Sequence, residues 1–237
     1  RDGTKVPHRG TTPESEAADG SLTFRRSQLS QRAAEIEAAR GVLADLHAGE
    51  PPRCVGPRDR SRLAHAESFA GRLDMGAVVL AGHSFGAATA LTTAMKSEPG
   101  RYAAVVAFDA WLYALSPDDI DAHRDALPPT LFINNEKFQW RSNLDKMSRF
   151  FPPGDPSIDR GESIPSKPRS AAAIATLRGA GHMSQSDFPL LMRRLLKIAG
   201  VRSDVCALRL LDLNRRLGHS FLARHLGRPD SDSMSSV

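Results

Sequence analysis

The chain has little cysteine. Its two residues, Cys54 and Cys206 of 237, lie far apart with no CxxC pair. That argues against a disulfide scaffold and against a cysteine-based structural zinc site. No run of ~18 apolar residues occurs, which excludes a membrane-spanning helix by hydropathy. No HExxH or comparable ligand spacing is present, so no metal and no other cofactor is expected. No helix-turn-helix, RNP-type or zinc-finger pattern accompanies the basic residues, so nucleic acid is not an expected partner. The chain opens on Arg1 rather than methionine, with no charged-then-apolar leader and no cleavage site after it. A longer polypeptide is the expectation that follows.

What is present is ordinary for a globular protein: 41% hydrophobic and 25% charged residues. The length suits one domain or slightly more, at ~150 residues each. The formal charge is +5, and residues 189–228 hold nine Lys/Arg against two Asp. A block of this kind is read first as a solvated helix face, and otherwise as a surface for an anionic membrane.

Residues 1–24 are polar and aperiodic and read as loop or disorder, with 20–24 as a short extended piece. Residues 25–228 read as one α/β domain and 229–237 as a disordered tail. A helical stripe of Leu29, Ala33, Ile36, Leu43 and Leu46 covers 27–47 and stops at Gly49 and Pro51. A weaker helix over 62–73 carries Leu63, Ala66, Phe69 and Leu73. Apolar runs at 77–81, 103–108, 130–133 and 171–177 predict strands covered on both faces. Helices are predicted over 85–95, 189–199 and 205–226, and a polar insert over 152–169. Alternating strands and helices imply a parallel sheet flanked by helices.

The sharpest motif is Gly82-His83-Ser84-Phe85-Gly86, placed between an apolar run and a helix. This is the context of a nucleophile elbow, in which a strand turns into a helix around one strained serine. Both glycines are expected to relieve crowding at the turn. The Phe85 N–H, at the helix start, is the expected oxyanion donor. A second stretch, Gly218-His219-Ser220-Phe221-Leu222, lacks the closing glycine and a preceding strand, so Ser220 reads as structural. A serine hydroxyl needs a base. His182 follows the last predicted strand, where this fold places that base. His83 flanks the serine and reads as structural. The acid that orients the base is either Asp109 or Glu136, each at the end of a predicted strand.

At these residues the chain resembles the plasma and intracellular type II platelet-activating factor acetylhydrolases, the calcium-independent group VII phospholipases A2. The matching segments are GHSFGAATA (82–90), FDAWLYAL (108–115), LPPTLFINNEKFQW (127–140), GAGHMSQSDFPLL (179–191) and ALRLLDLNRRLGHSFLARHLG (207–227). A looser match covers 25–49. The resemblance implies an α/β-hydrolase fold and hydrolysis of a phospholipid ester without a cofactor. It puts the nucleophile on Ser84, the acid on Asp109, the base on His182 and an oxyanion donor on Phe85. Trp111 and Phe188 fall near the substrate pocket of such proteins. Leu190 and Leu191 fall on a helix that docks on lipid surfaces in relatives, and the sequence there mixes apolar and cationic residues as an interfacial helix does. The early strands and the oxyanion loop of the fold have no counterpart upstream of residue 77. The chain is therefore expected to be the C-terminal portion of a longer enzyme, weak or inactive alone. A generic esterase acting on soluble esters and a non-catalytic binding role are the alternatives.

Overall fold

The computed structural model describes residues 18–51, 66–151, 172–192 and 203–227. In chain order the helices are α1 (Ala18–His47), α2 (Phe85–Lys96), α3 (Pro117–His123), α4 (Arg141–Ser148), the single turn α5 (Phe188–Leu191) and α6 (Ala207–Leu226). The strands are β1 (Val79–His83), β2 (Ala104–Phe108), β3 (Thr130–Asn135) and β4 (Ala172–Leu177). Among the described residues they form one parallel sheet in the order β1-β2-β3-β4. This parallel sheet with flanking helices is the α/β-hydrolase type of architecture expected from the sequence.

The apolar runs become strands because both faces are covered. Alternate residues point to opposite sides of a pleated strand. Val105 and Ala107 of β2 and Phe132 of β3 therefore enter one core, with Ala87, Ala88 and Leu91 of α2 and Leu29 of α1. Ala104, Val106, Leu131 and Ile133 enter the other, with Leu210 and Phe221 of α6. Small residues let α2 lie close on the sheet, and Ala87, Ala88 and Leu91 are fully buried. Helix α6 ends at Gly227, whose φ of 63° is the left-handed conformation of a helix stop.

Three local expectations are corrected. Helix α1 begins at Ala18, so residues 20–24 are helical rather than extended. A long amphipathic helix docked on α2 extends its own first turns cooperatively, and composition does not show that. Leu43 lies on the exposed side of α1, while Leu29 and Ala33 are buried. Within the described part of the helix predicted over 62–73, residues 66–73, the structure has a 3₁₀ turn at Ala66–Phe69 rather than an α-helix, with Phe69 exposed. Leu63, the insert 152–169, most of the helix predicted over 189–199 and the tail 229–237 lie outside the described residues.

Helix α1 is pinned by one carboxylate. Glu37 accepts from Arg101, from the Tyr102 hydroxyl at 2.6 Å and from the Ser97 hydroxyl at 3.1 Å. The Arg101 hydrogen bond, more than any other influence, holds Glu37 below the usual carboxylate range. Burial and the same carboxylate push Tyr102 up to about 12. The ion pair stays formed across neutral pH and fixes α1 against the loop that leads into β2.

Candidate active site

The register of the sheet builds the site. His83 pairs with Phe108 at the ends of β1 and β2, so Ser84 and Asp109 leave the sheet side by side. Asn135 ends β3 opposite Leu177 of β4, and the loop after β4 carries His182 to the same edge. In open α/β sheets the carboxyl ends of the strands form the ligand-binding crevice.

Ser84 has φ 59° and ψ −120°. Asp109 has φ 45°, and these two are the only non-glycine residues with positive φ among the described residues. Such conformations cost about 1–3 kcal/mol each and persist only where neighbours hold them. Here the Ser84 N–H donates to Phe108 O at 2.9 Å, the Trp111 N–H donates to Ser84 O at 3.1 Å, and the Asp109 N–H donates to Ile133 O at 2.9 Å. The turn also requires Gly82, because a Cβ there would overlap the Gly86 carbonyl and lie 2.7 Å from Ala87 N. Gly86 itself has open space around its own Cβ position, which corrects the expectation that both glycines relieve crowding.

Ser84, Asp109 and His182 are brought together. The Ser84 hydroxyl donates to His182 Nε2 at 3.0 Å, and His182 Nδ1–H donates to Asp109 Oδ2 at 3.0 Å. Asp109 is fully buried, while the His182 side chain is 25% exposed. At the start of α2 the Ala87 and Ala88 amides turn to Ser84 O. The Phe85 amide has no acceptor among the described residues, as befits a first-turn helix N–H. It sits one peptide from the serine, where the positive end of the helix dipole favours developing negative charge. Glu136, the other candidate acid, is exposed and accepts from the Gly179 N–H at 2.7 Å. It braces the turn before His182 rather than the imidazole. Ser220 lies within α6 rather than in a turn that follows a strand.

Two supporting side chains, Asn135 and Phe138, escaped the sequence reading, and His83 takes the structural place expected of it. Asn135, fully buried, donates its backbone N–H to Asp109 Oδ1 at 2.6 Å. Its amide donates to Asp109 Oδ2 and to Gly181 O, both at 2.9 Å, and so ties the acid to the loop of the base. Phe138 stacks on the His182 ring at 3.5 Å between centroids. The His83 ring lies 4.4 Å from that of His182, and its Nε2–H donates to His182 O at 3.0 Å. His83 thus ties down the loop that carries His182 and forms no hydrogen bond to Ser84 Oγ among the described residues. Burial first, and the neighbouring His182 second, hold His83 below its ordinary pKa.

The other expected pocket residues differ in placement. Trp111 is half-buried, with its ring 5.8 Å from that of Phe85 and stacked on Tyr113 at 5.7 Å. Phe188, Leu190 and Leu191 are exposed on α5, just after the 3₁₀ turn of His182. His83, Asp109 and His182 also offer ligand atoms within 4.8 Å of one another. Both ring nitrogens of His182 are already engaged by Ser84 and Asp109, so a cation bound there would have to break that chain of hydrogen bonds.

A family model described as platelet-activating factor acetylhydrolase, isoform II, matches residues 11–236. Similar curated proteins are platelet-activating factor acetylhydrolases of Canis lupus familiaris, Bos taurus and Gallus gallus. The first is 29% identical over 94% of this chain and 46% of its own length. The second is 27% identical over 90% and 43%, and the third 26% over 93% and 47%. The chain thus spans just under half the length of these relatives.

Two outcomes follow from the elbow and from His83. Gly82→Ala is expected to destabilise by about 1–3 kcal/mol through overlap with backbone. Gly86→Ala is expected to be neutral or to stabilise by up to about 1 kcal/mol, since alanine is the better helix former. Thermal unfolding of the two variants checks this. Because the folded pKa of His83 lies below its ordinary value of 6.5, its neutral form is the one the fold favours. The contribution is complete above pH 6.5 and declines as the pH falls toward the folded pKa. The melting temperature should drop between pH 7.5 and 5, and His83→Gln, which keeps an N–H donor but does not titrate, should flatten that drop.

Proposed function

The chain belongs to the platelet-activating factor acetylhydrolase isoform II family, and on that premise we propose that it acts as a serine esterase. Its substrates are platelet-activating factor-like phospholipids, cleaved at the sn-2 acetyl or short or oxidised acyl ester. The observation that carries this reading is the continuous line from buried Asp109 through His182 to Ser84, with both links at 3.0 Å.

The chemistry follows from those contacts. His182 Nε2 takes the Ser84 proton as Oγ bonds to the ester carbonyl carbon. Asp109 keeps the imidazole proton on Nδ1 and stabilises the imidazolium. The carbonyl oxygen gains the negative charge and accepts from the Phe85 N–H. Loss of one such donor costs about 100- to 1,000-fold in rate. Collapse of the tetrahedral intermediate breaks the ester C–O bond, and His182 returns the proton to the departing lysophospholipid oxygen. Water, giving a proton to His182, then attacks acyl-Ser84; the Oγ–acyl bond breaks, His182 returns that proton to Ser84 Oγ, and the carboxylic acid leaves.

Helix α5 supports a second element of the proposal, contact with the lipid surface. Leu191 is 81% exposed, and Phe188, Leu190 and Met192 are exposed beside it. An apolar turn next to the catalytic loop is suited to insertion at the acyl boundary, which would bring the crevice to the membrane where the substrate resides.

Ser84→Ala in the full-length polypeptide is expected to lower ester turnover at least about 10,000-fold with the fold retained. A fluorophosphonate probe should label Ser84, as peptide mass spectrometry would show. Retained turnover would remove Ser84 from the mechanism, and a preference for neutral soluble esters would favour the generic esterase. Leu190→Asp with Leu191→Asp should reduce cosedimentation with phosphatidylcholine vesicles several-fold, whereas equal binding would remove the surface contact.

A further inference from the structure

Two cations, Arg25 and Arg32, stand against the ring of Phe85, the residue after Ser84, with no ion pair among the described residues. Arg25 and Arg32 are seven residues apart on α1, about two turns, and so share one face of the helix. The Arg25 guanidinium carbon lies 5.9 Å from the centroid of the Phe85 ring, 5.4 Å from that of Trp111 and 5.7 Å from that of Phe24. That of Arg32 lies 5.2 Å from the Phe85 ring. Both guanidiniums thus converge on the side chain of the residue that follows Ser84. Among the described residues neither forms an ion pair. Arg25 donates to the Gln28 side chain at 2.9 Å, and Arg32 is exposed.

We propose that Arg25 and Arg32 form a phosphate-binding pair at the mouth of the site, taking the phosphodiester of the substrate headgroup. The identity of that substrate rests on the ester-hydrolase reading. A guanidinium laid on an aromatic face keeps its N–H edges free, and those edges fork onto phosphate oxygens in a way that an ammonium does not. The stack also orders the side chain before ligand arrives, which lowers the entropy cost of binding. A phosphodiester lies only a few bonds from the sn-2 carbonyl of a glycerophospholipid. A cationic pair flanking the Phe85 ring is therefore within the compass of one substrate whose carbonyl meets the Phe85 amide. Lys146, the nearby cation on α4, is not available for this, because it donates to the carbonyls of Leu112, Tyr113 and Leu115.

The test compares two substrates in the full-length polypeptide. One is a water-soluble short-chain 2-acetyl phosphatidylcholine kept below its micellar concentration, and the other is p-nitrophenyl acetate, which has no phosphate. For Arg32→Gln and Arg25→Gln the ratio of kcat/KM, phospholipid over neutral ester, should fall about 10- to 100-fold, the scale of a lost charged hydrogen bond. The loss should lie mainly in KM, and Arg25→Lys and Arg32→Lys should regain part of it. Arg32 touches only one ring and is exposed, so its variant does not depend on α1 packing. An unchanged ratio overturns the proposal, including the case where both substrates slow alike, which is what a packing role would give. Weaker vesicle cosedimentation with an unchanged ratio also overturns it, in favour of a bilayer headgroup contact. If the wild type hydrolyses neither substrate, titration with sn-glycero-3-phosphocholine followed by NMR separates the two readings. Binding that weakens in Arg32→Gln keeps the pair and sinks the hydrolase reading, and equal or absent binding sinks the pair.

Discussion

The structure around the crevice depends on satisfying one buried carboxylate. Asp109 has no exposure to solvent, and an ionised carboxylate in that position is tolerable only if donors surround it. Its donors come from two neighbouring segments: Asn135, by backbone and side chain, and Gln139, more distantly, from the end of β3 and the turn after it, and His182 from the loop after β4. The ends of three adjacent strands are thereby drawn to one point. The parallel register makes this possible, because His83 faces Phe108 and Asn135 faces Leu177, so each strand delivers its next residue to the same edge. Asn135 also reaches Gly181 O, so the group that solvates the acid also positions the loop of the base.

The same demand explains where backbone strain is kept. Ser84 and Asp109 hold positive φ, and each is tied by a main-chain bond to the neighbouring strand. Trp111 N–H closes the arrangement by donating to Ser84 O, which joins the acid loop to the elbow. Relaxing either residue would break a bond in its partner's segment. The strain is affordable because it is shared between two turns that brace one another.

The parts of this arrangement that repeat along the chain were legible in the sequence. Apolar runs located all four strands within a few residues, and the sharp turn at 82–86 located the elbow, because burial on both faces and a strand-to-helix turn each leave a local pattern. Side chains whose roles arise only across the sheet were not legible. Asn135 reads as an ordinary polar residue at a strand end until Asp109 and Gly181 are seen beside it. Phe138 reads as a loop aromatic until it stacks on His182, whereas His83 reads as structural and its ring does reach the His182 carbonyl. The early start of α1 was hidden for the same reason, since its first turns are stabilised by a helix rather than by their own composition. The roles of Gly82 and Gly86 differ because one backbone approaches the other from a single direction, an asymmetry that two identical letters do not show.

The allocation of charge connects α1 to the site. Most cations near the sheet are committed: Arg101 to Glu37, Arg149 to Asp121, Lys137 to Asp204, and Arg215 and Arg216 to Asp212. Arg25 and Arg32 instead both rest against the ring of Phe85. The Glu37 anchor lies twelve residues beyond Arg25 on the same helix, about 18 Å at 1.5 Å per residue. A rigid helix held there fixes where its earlier turns present positive charge, and Glu35, the carboxylate on those turns, accepts from Gln31 and forms no ion pair with Arg32 among the described residues. A cation that is ordered, partly desolvated and left without an anion of its own creates a favourable potential for an anion from outside. The long helix is therefore more than a cover for α2: the Glu37 anchor near its middle fixes where Arg25 and Arg32, on the turns before it, stand against Phe85, next to the serine whose hydroxyl is hydrogen-bonded to His182.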